Sequence, residues 1–284
     1  MIKWFIEKHM FSEYEEKLIS IIRDKGMSVV LYEDTEPNNV IVKSNLLEDD
    51  IVIFHCSLQD GSKVLRTPVY PGVWLTKENY ECYKWMGYYG DNLLNSEYLM
   101  MGLNDVIRNK HKLKDFGTDK IFIRPSDGLK TFPGQVITLN NLEEDISVLS
   151  KCYGGISMET LIIVAPDKSS LMKDECRFVV VNGEVITGAR YMDAQRRKDW
   201  TAIWDNTCSD LGATVFAQNM TNLYQPDTAF TLDVCRLSNG EYKVIEINSF
   251  NCASLYGSDL EKVVTSVSKA AIKEHQDIWG DYKK

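Results

Sequence analysis

No stretch of this 284-residue chain approaches the roughly 20 consecutive apolar residues that a membrane-spanning helix needs. The start, Met1-Ile2-Lys3-Trp4-Phe5-Ile6-Glu7-Lys8, is interrupted by charge and lacks the apolar core of a secretory leader. There is no Cys-x-x-Cys pair. The seven cysteines (Cys56, Cys82, Cys152, Cys176, Cys208, Cys235 and Cys252) are odd in number and scattered. They read as reduced thiols of a cytoplasmic protein, not as a disulfide frame or a zinc site. Positive charge is also short: 32 Lys and Arg stand against 41 Asp and Glu, a net charge of −9. Broad nucleic-acid binding rests on cations neutralising phosphates, so such a surface is not expected here. No internal repeat and no low-complexity tract interrupts the chain.

Histidine is scarce as well, with four residues. His9, His111 and His275 read as solvated surface positions, and His55, at the end of an apolar run, is the one with a candidate cleft role. Neither a Ser-His-Asp nor a Cys-His set is evident, and Cys56 beside His55 reads as buried filler rather than a nucleophile.

What remains has the composition of a globular protein, 44% hydrophobic and 26% charged, and a length that suits two domains. Residues 12–25 carry Tyr14, Leu18, Ile21 and Ile22 at helical spacing, with Gly26 as a stop. The runs 27–32 and 51–56 read as strands without polar alternation, the pattern of a parallel sheet covered on both faces. Residues 71–100 are dense in aromatics, including Trp74, Tyr80, Trp85 and Tyr89. They read either as a packed helical connection or as one wall of a ligand cleft. After Gly117 the texture becomes strand-rich: 121–123, 135–138, 161–164, 177–181, 184–187, 231–235 and 242–247. From Asp259 a final helix carries Leu260, Val263, Val264, Val267 and Ala271 on one face. The expectation is an α/β domain over residues 1–110 and a larger α+β domain of antiparallel hairpins over 111–284.

Three segments hold polar residues where a core would place apolar ones. In Ile121-Phe122-Ile123-Arg124-Pro125-Ser126-Asp127-Gly128-Leu129-Lys130 a strand ends in one cation and a short turn leads to another. Arginine can grip a phosphate with two parallel hydrogen bonds, and lysine adds a mobile point charge. The alternative is a surface ion pair. In the run 174–188, a hairpin with an Asn-Gly turn, Glu175 and Arg177 share one face and Cys176, Phe178 and Val180 the other. The apolar face is core, whereas the charged one is either an exposed pair or a cleft pair. In the third, Asp233 sits inside an apolar strand, and Glu246 and Asn248 project from one face of the next strand. A carboxylate held among apolar residues is costly unless paired or bound to a cation. Asp, Glu and Asn offer oxygen ligands alone, the set that hard Mg²⁺ takes. Three polar residues on the solvent face of an edge hairpin are the plainer reading.

The order of these segments resembles the ATP-grasp superfamily. Ile123-Arg124-Pro125 is similar to its strand ending in Lys-Pro, with Arg in place of Lys. Residues 126–130 fall where its phosphate-covering loop lies, and Leu161 to Pro166 resembles the strand and hinge that hold adenine through backbone groups, around Val164 and Ala165. Residues 175–183 are similar to its E-x-R-x-x-V-x-x-G strand and turn. Asp233, Glu246 and Asn248 match its D…E-x-N metal motif. The likeness is nearest to a divergent clade, common in phages and bacteria, that carries such an Arg and a Lys shortly after it.

The resemblance implies an α/β plus α+β protein, with a Rossmann-like pre-ATP-grasp domain before an antiparallel-sheet ATP-binding domain. It implies an ATP-dependent ligase that joins a small-molecule or peptide carboxylate to an amine through an acylphosphate. ATP and Mg²⁺ would be the cofactors. Arg124, Lys130, Val164, Ala165 and Glu175 would bind nucleotide, while Asp233, Glu246 and Asn248 would hold the metal. Arg177, with Arg190 from the basic segment Arg190, Arg196, Arg197 and Lys198, would serve catalysis. The run Leu93-Leu94-Asn95 with Tyr98 would line the cleft from the N-terminal side. Two other readings stay open: a nucleotide-binding module without ligase activity, and a phosphotransferase acting on an acceptor other than a carboxylate.

Overall fold

The computed structural model describes residues 1–33, 35–153, 155–193 and 207–279. The first sheet is parallel, with β1 (Ile2–Glu7) between β2 (Ser28–Tyr32) and β3 (Ile51–His55), and the short β4 (Pro71–Gly72) beyond β3. Both faces are covered, as the absence of alternation predicts. Phe5, Val52 and Phe54 enter one apolar cluster, while Trp4, Ile6, Ile51 and Ile53 enter another beneath the helix Glu15–Asp24 and the final helix Leu260–Trp279. The opening segment Ile2–Glu7 is thus a central strand. Lys3 is neutralised by Asp50 at 2.8 Å, which leaves Trp4, Phe5 and Ile6 free to pack.

The second sheet is antiparallel in the order β5 (Leu99–Gly102), β8 (Leu161–Pro166), β6 (Lys120–Pro125), β7 (Gln135–Thr138). Its own core includes Leu103, Ile121, Ile123, Leu142 and Val164, under the helices Leu103–Arg108 and Leu142–Cys152. The third is also antiparallel, in the order β10 (Glu184–Met192), β9 (Met172–Val181), β11 (Ala229–Leu237), β12 (Tyr242–Ser249). Its apolar residues join the clusters of the first sheet, so those two sheets share core, while the second sheet has a core of its own and meets the shared one through Ile163. Each fully buried Phe or Val contributes about 1.5–3 kcal/mol of apolar burial.

Along β9 one face changes character. Val181 and Val179 pack beneath the last helix, and the same face then presents Arg177 and Glu175, whereas Cys176, Phe178 and Val180 point into the other cluster. The β9–β10 turn is built from Asn182 (φ 50°) and Gly183 (φ 78°), both left-handed as a two-residue type I′ turn demands. Gly183→Ala puts a Cβ into that conformation and 2.9 Å from the Gln225 amide. A stability loss of about 1–2 kcal/mol is expected by urea unfolding, and an unchanged midpoint would count against this turn geometry.

The aromatic segment divides between its two readings. Trp74, Tyr80, Trp85 and Tyr89 are buried, while Tyr83 and Tyr88 are exposed. Trp85 also lies under Arg124, its ring centroid 5.9 Å from the guanidinium carbon, so the packed connection backs the cleft. His275, expected on the surface, is buried on the last helix. Among the described residues no helix is long and apolar enough to cross a membrane.

Candidate functional site

A cleft of about 500 Å³ opens between the second and third sheets. β6 delivers Arg124 at its end, and the following turn delivers Lys130, whose φ of 54° is the left-handed conformation that a side chain seldom adopts. That turn is held from the N-terminal side: Cys82 N–H donates to the Ser126 carbonyl at 2.8 Å, and Gly128 lies against Tyr80 so closely that a Cβ would sit 2.6 Å from the Tyr80 Cβ. β9 contributes Glu175, and the cleft's far wall holds Tyr191, Ile245 and Glu246.

Asp233 and Glu246 face each other across one rung of the β11–β12 hairpin. Asp233 is 1% exposed and receives two hydrogen bonds from Arg177, Nε to Oδ1 at 2.8 Å and Nη2 to Oδ2 at 2.7 Å. Arg177 also donates to the Ser254 carbonyl at 3.2 Å and lies against the rings of Tyr191 and Tyr256, which stack on each other at 4.8 Å. Burial alone would weaken the charge on Arg177. The Asp233 carboxylate outweighs that effect and holds the guanidinium well above its ordinary pKa. Burial pushes the Asp233 carboxyl up despite Arg177.

Glu246 is the hub. Lys130 Nζ lies 3.1 Å from Oε1, Arg124 Nη1 3.3 Å from Oε2, Arg177 Nη2 3.8 Å from Oε1, and Asn248 Nδ2 donates to Oε1 at 3.1 Å. Burial works against its charge, but Lys130, Arg124 and Arg177 prevail and hold the carboxyl far below its ordinary value of 4.5. Folding therefore favours the ionised form. This contribution is present above about pH 4.5 and is lost as pH falls toward the depressed folded value. Glu246→Gln is expected to flatten the acid limb of a stability–pH profile measured by urea unfolding between about pH 6 and about pH 3. A limb as steep as that of the parent chain would contradict this.

The cleft thus gathers Arg124, Lys130, Glu175, Arg177, Asp233, Glu246 and Asn248. Val164 and Ala165 are fully buried. Val164 pairs with both Leu99 and Ile123, so its backbone lies within the ladder, and the residues that reach the cleft are the following Asp167, Lys168 and Ser169. Leu94 and Asn95 line the cleft as expected, while Leu93 is buried in a bridge to Val244. Lys168 Nζ ties this side together by donating to the Leu94 carbonyl at 3.1 Å.

Arg190 is not brought to the cleft. It pairs in register with Cys176, is exposed, and lines a separate pocket on the reverse face of the sheet. Tyr191, one residue on, takes the cleft side, and its hydroxyl donates to Glu175 Oε2 at 3.0 Å. β10 runs on past the expected end at Thr187 to Met192, and that extension puts Tyr191 where the Arg was expected. Arg196, Arg197 and Lys198 lie outside the described residues. His55 has no access to the cleft either. It is fully buried between Phe11 and Phe250, 2.9 Å from the Tyr14 hydroxyl, and desolvation holds its pKa down at about 3. Tyr191 and Tyr256 carry no motif of their own, and their positions become visible only once the register of β10 and the path after β12 are known.

As a metal site, the donors are two carboxylates and one amide oxygen. Among the described residues no group of three or more His, Cys, Asp or Glu side chains could hold a metal ion, so the set reaches three ligands only with Asn248. An all-oxygen set of two adjacent carboxylates and an amide fits a hard divalent cation such as Mg²⁺.

Comparison with known proteins agrees with this architecture. No curated protein matches the chain in sequence. The fold is similar to that of D-cycloserine synthetase DcsG, with a TM-score of 0.62 at 10% identity over 95% of this chain and 100% of that one. It is similar to the D-alanine–D-alanine ligase of Coxiella burnetii, with a TM-score of 0.63 at 11% identity over 100% and 98%. It is also similar to the macrocyclase MdnC of Microcystis aeruginosa, solved with its precursor peptide, with a TM-score of 0.59 at 12% identity over 96% and 100%. A family profile described as an ATP-grasp domain, family 3 of its clade, matches residues 99–267, more than half of the sequence and all of the motif residues from Arg124 to Asn248. The chain therefore belongs to the ATP-grasp superfamily, and within it to that clade family.

Proposed function

We propose that this chain is an ATP-dependent carboxylate–amine ligase that works through an acylphosphate. The observation that carries the reading is the cleft itself. Three single cations, Arg124, Lys130 and Arg177, converge on the Asp233–Glu246 pair between two antiparallel sheets. A few convergent cations with paired carboxylates suit one small polyanion together with a divalent ion.

In this reading ATP lies in the cleft with its base toward the side of Asp167, Lys168 and Ser169, next to Val164 and Ala165, and its phosphates toward Arg124 and Lys130. Glu175 takes part in holding the nucleotide. Asp233, Glu246 and Asn248 hold Mg²⁺, which when bound supplies neutralising charge to phosphate oxygens. The γ-phosphoryl passes to a substrate carboxylate. An amine then attacks the acylphosphate and phosphate leaves. Arg177, fixed by Asp233 and by the Ser254 carbonyl, faces the carbonyl oxygen on which charge develops, where a fixed donor acts most strongly. Neither step needs a nucleophilic side chain. With Arg190 on the reverse face, transfer falls to Arg177 alone. We place the division of labour near residue 98 rather than 110, because β5 is hydrogen-bonded to β8. The seven scattered cysteines, with no Cys-x-x-Cys pair among them, support a reducing compartment, the cytoplasm of a bacterium or of a phage-infected host.

The acceptor class is proposed to be an amino acid or a peptide, since two of the similar folds belong to a D-alanine–D-alanine ligase and a peptide macrocyclase. The test is an incubation with ATP, Mg²⁺ and pooled amino acids and peptides, with ADP and phosphate both measured. Release of both only when acceptor is present is the expected result. ADP without free phosphate, the phosphate remaining on the acceptor, would make the protein a phosphotransferase. Tight nucleotide binding without turnover across a wide acceptor set would make it a binding module.

A further inference from the structure

Behind the cleft, on the opposite face of β9, a second pocket of about 310 Å³ opens to solvent, and Asp174, Cys176, Arg190, Cys208, Asp210 and Arg236 line it. Two of the seven cysteines meet there. Cys176 and Cys208 are 32 residues apart in sequence, yet their sulfurs lie 2.9 Å apart. We propose that Cys176 and Cys208 form a reversible thiol–disulfide site, oxidised by a small-molecule disulfide that enters through this pocket. The proposal does not depend on the ligase reading.

The two thiols have different surroundings, which sets their roles. Cys176 is 3% exposed in the middle of a four-stranded sheet, between β10 and β11. Cys208 is half-buried at the end of a connection, attached by its N–H to the Gly188 carbonyl at 2.8 Å and by the neighbouring Thr207–Ala189 bridge. The sulfurs need to approach by about 0.9 Å to reach the disulfide bond length, and Cys208 is the more exposed of the two. Of the pair, Cys208 is the one whose pKa is lowered, chiefly by the hydrogen bond it shares with Cys176. The thiolate is the attacking form, so Cys208 attacks first.

The exchange balances without any group from the protein beyond these two. The Cys208 thiolate attacks one sulfur of the small disulfide, a mixed disulfide forms on Cys208, and the first small thiol leaves, taking up the proton that Cys208 gave. Cys176 then loses its proton, attacks the Cys208 sulfur, and expels the second small thiol. Two protein thiols are oxidised to one disulfide, and one small disulfide is reduced to two thiols. The bond formed ties residue 208 to β9 between Glu175 and Arg177, the two residues that this strand turns toward the cleft.

The test uses the full chain, reduced, freed of reductant and incubated in its native state with oxidised glutathione. Remaining thiols are then alkylated and peptides mapped by mass spectrometry. The expected result is one cross-linked peptide pair joining Cys176 to Cys208, a protein mass lower by about 2 Da, and two fewer reactive thiols. Cys208→Ser is expected to leave Cys176 free under the same treatment, and Cys176→Ser to trap glutathione on Cys208. The proposal is overturned if oxidation produces only a mixed disulfide on the exposed Cys152 or a bridge between Cys56 and Cys252. It is equally overturned if Cys176 is oxidised to the same extent in Cys208→Ser. Because the first readout is made on the unsubstituted chain, a variant that failed to fold would leave the test standing.

Discussion

Replacing Glu246 by alanine is expected to lower ATP turnover by on the order of 10² to 10³-fold, the scale seen when one preorganised electrostatic contact is removed from a reacting phosphoryl or acyl group. The reason is its place as hub. Its two oxygens are shared by Lys130 at 3.1 Å, Arg124 at 3.3 Å and Asn248 at 3.1 Å, with Arg177 at 3.8 Å. Removing it takes one carboxylate from the proposed metal set and frees three cations whose positions it sets. The fold is expected to survive. Arg177 keeps its bidentate bond to Asp233, Arg124 keeps the Trp85 ring, and Lys130 is solvated enough to find water. The measurement is steady-state ADP release beside a thermal unfolding curve. Full turnover in a folded Glu246→Ala protein would falsify both the metal assignment and the role of the hub.

Arg177→Met has the larger effect on stability. Asp233 is 1% exposed, and Arg177 supplies its charge partner and two of its hydrogen bonds. Breaking one side of a buried pair typically costs about 3–5 kcal/mol, because an uncompensated charge stays behind. For a chain of this size that corresponds to a drop in Tm of roughly 10 °C. Intact, the pair need not be a net source of stability, since burial pushes the Asp233 carboxyl up even with Arg177 beside it.

The variant carries a pH signature with a definite sign. Without Arg177 the folded pKa of Asp233 rises further above its unfolded value. The neutral form is then the tolerated one, and the deficit against the parent shrinks as pH falls from 7 through that raised value and grows as pH rises through it. A second substitution, Asp233→Asn in the Arg177→Met background, is expected to recover much of the lost stability by removing the orphaned charge. If the double variant is no more stable than the single one at neutral pH, the loss comes from packing against Tyr191 and Tyr256 and not from the charge.

The residues in these two predictions are legible in the sequence for a simple reason. Asp233, Arg177 and Glu246 are polar residues inside otherwise apolar strands, and such residues need a partner wherever the strands lie. The two-residue spacing of Glu246 and Asn248 and of Glu175 and Arg177 places each pair on one face, because side chains alternate along a strand. The Asn182-Gly183 turn is equally readable, since two successive left-handed residues leave few other choices. The all-buried strand Ile51–His55 announces a parallel sheet by its lack of alternation.

Other features stay hidden because their cause is not local. β1 carries Lys3 inside an apolar run, and only Asp50, distant in sequence, makes it a central strand. The helices Leu142–Cys152 and Leu211–Leu223 have mixed faces whose buried side is chosen by the sheets they cover. Arg190 and Tyr191 show the same limit at the site. Alternation says that one of them faces the cleft, but the register of β10 against β9 selects which, and it selects the tyrosine.

Sequence alone determined the strand chemistry, the two hairpins, the polar residues set inside apolar strands and, through their order, the superfamily. It did so because each depends on neighbours within a few residues, or on a polar side chain that must be satisfied wherever it goes. Tertiary structure decided the pairings: that Arg177 locks onto Asp233 while Glu246 gathers Arg124 and Lys130 from another sheet, that Tyr191 and Tyr256 flank the guanidinium, and that Cys176 meets Cys208 behind it. These contacts join residues tens to more than a hundred positions apart. Their geometry comes from how three sheets pack, and no local rule of spacing contains it.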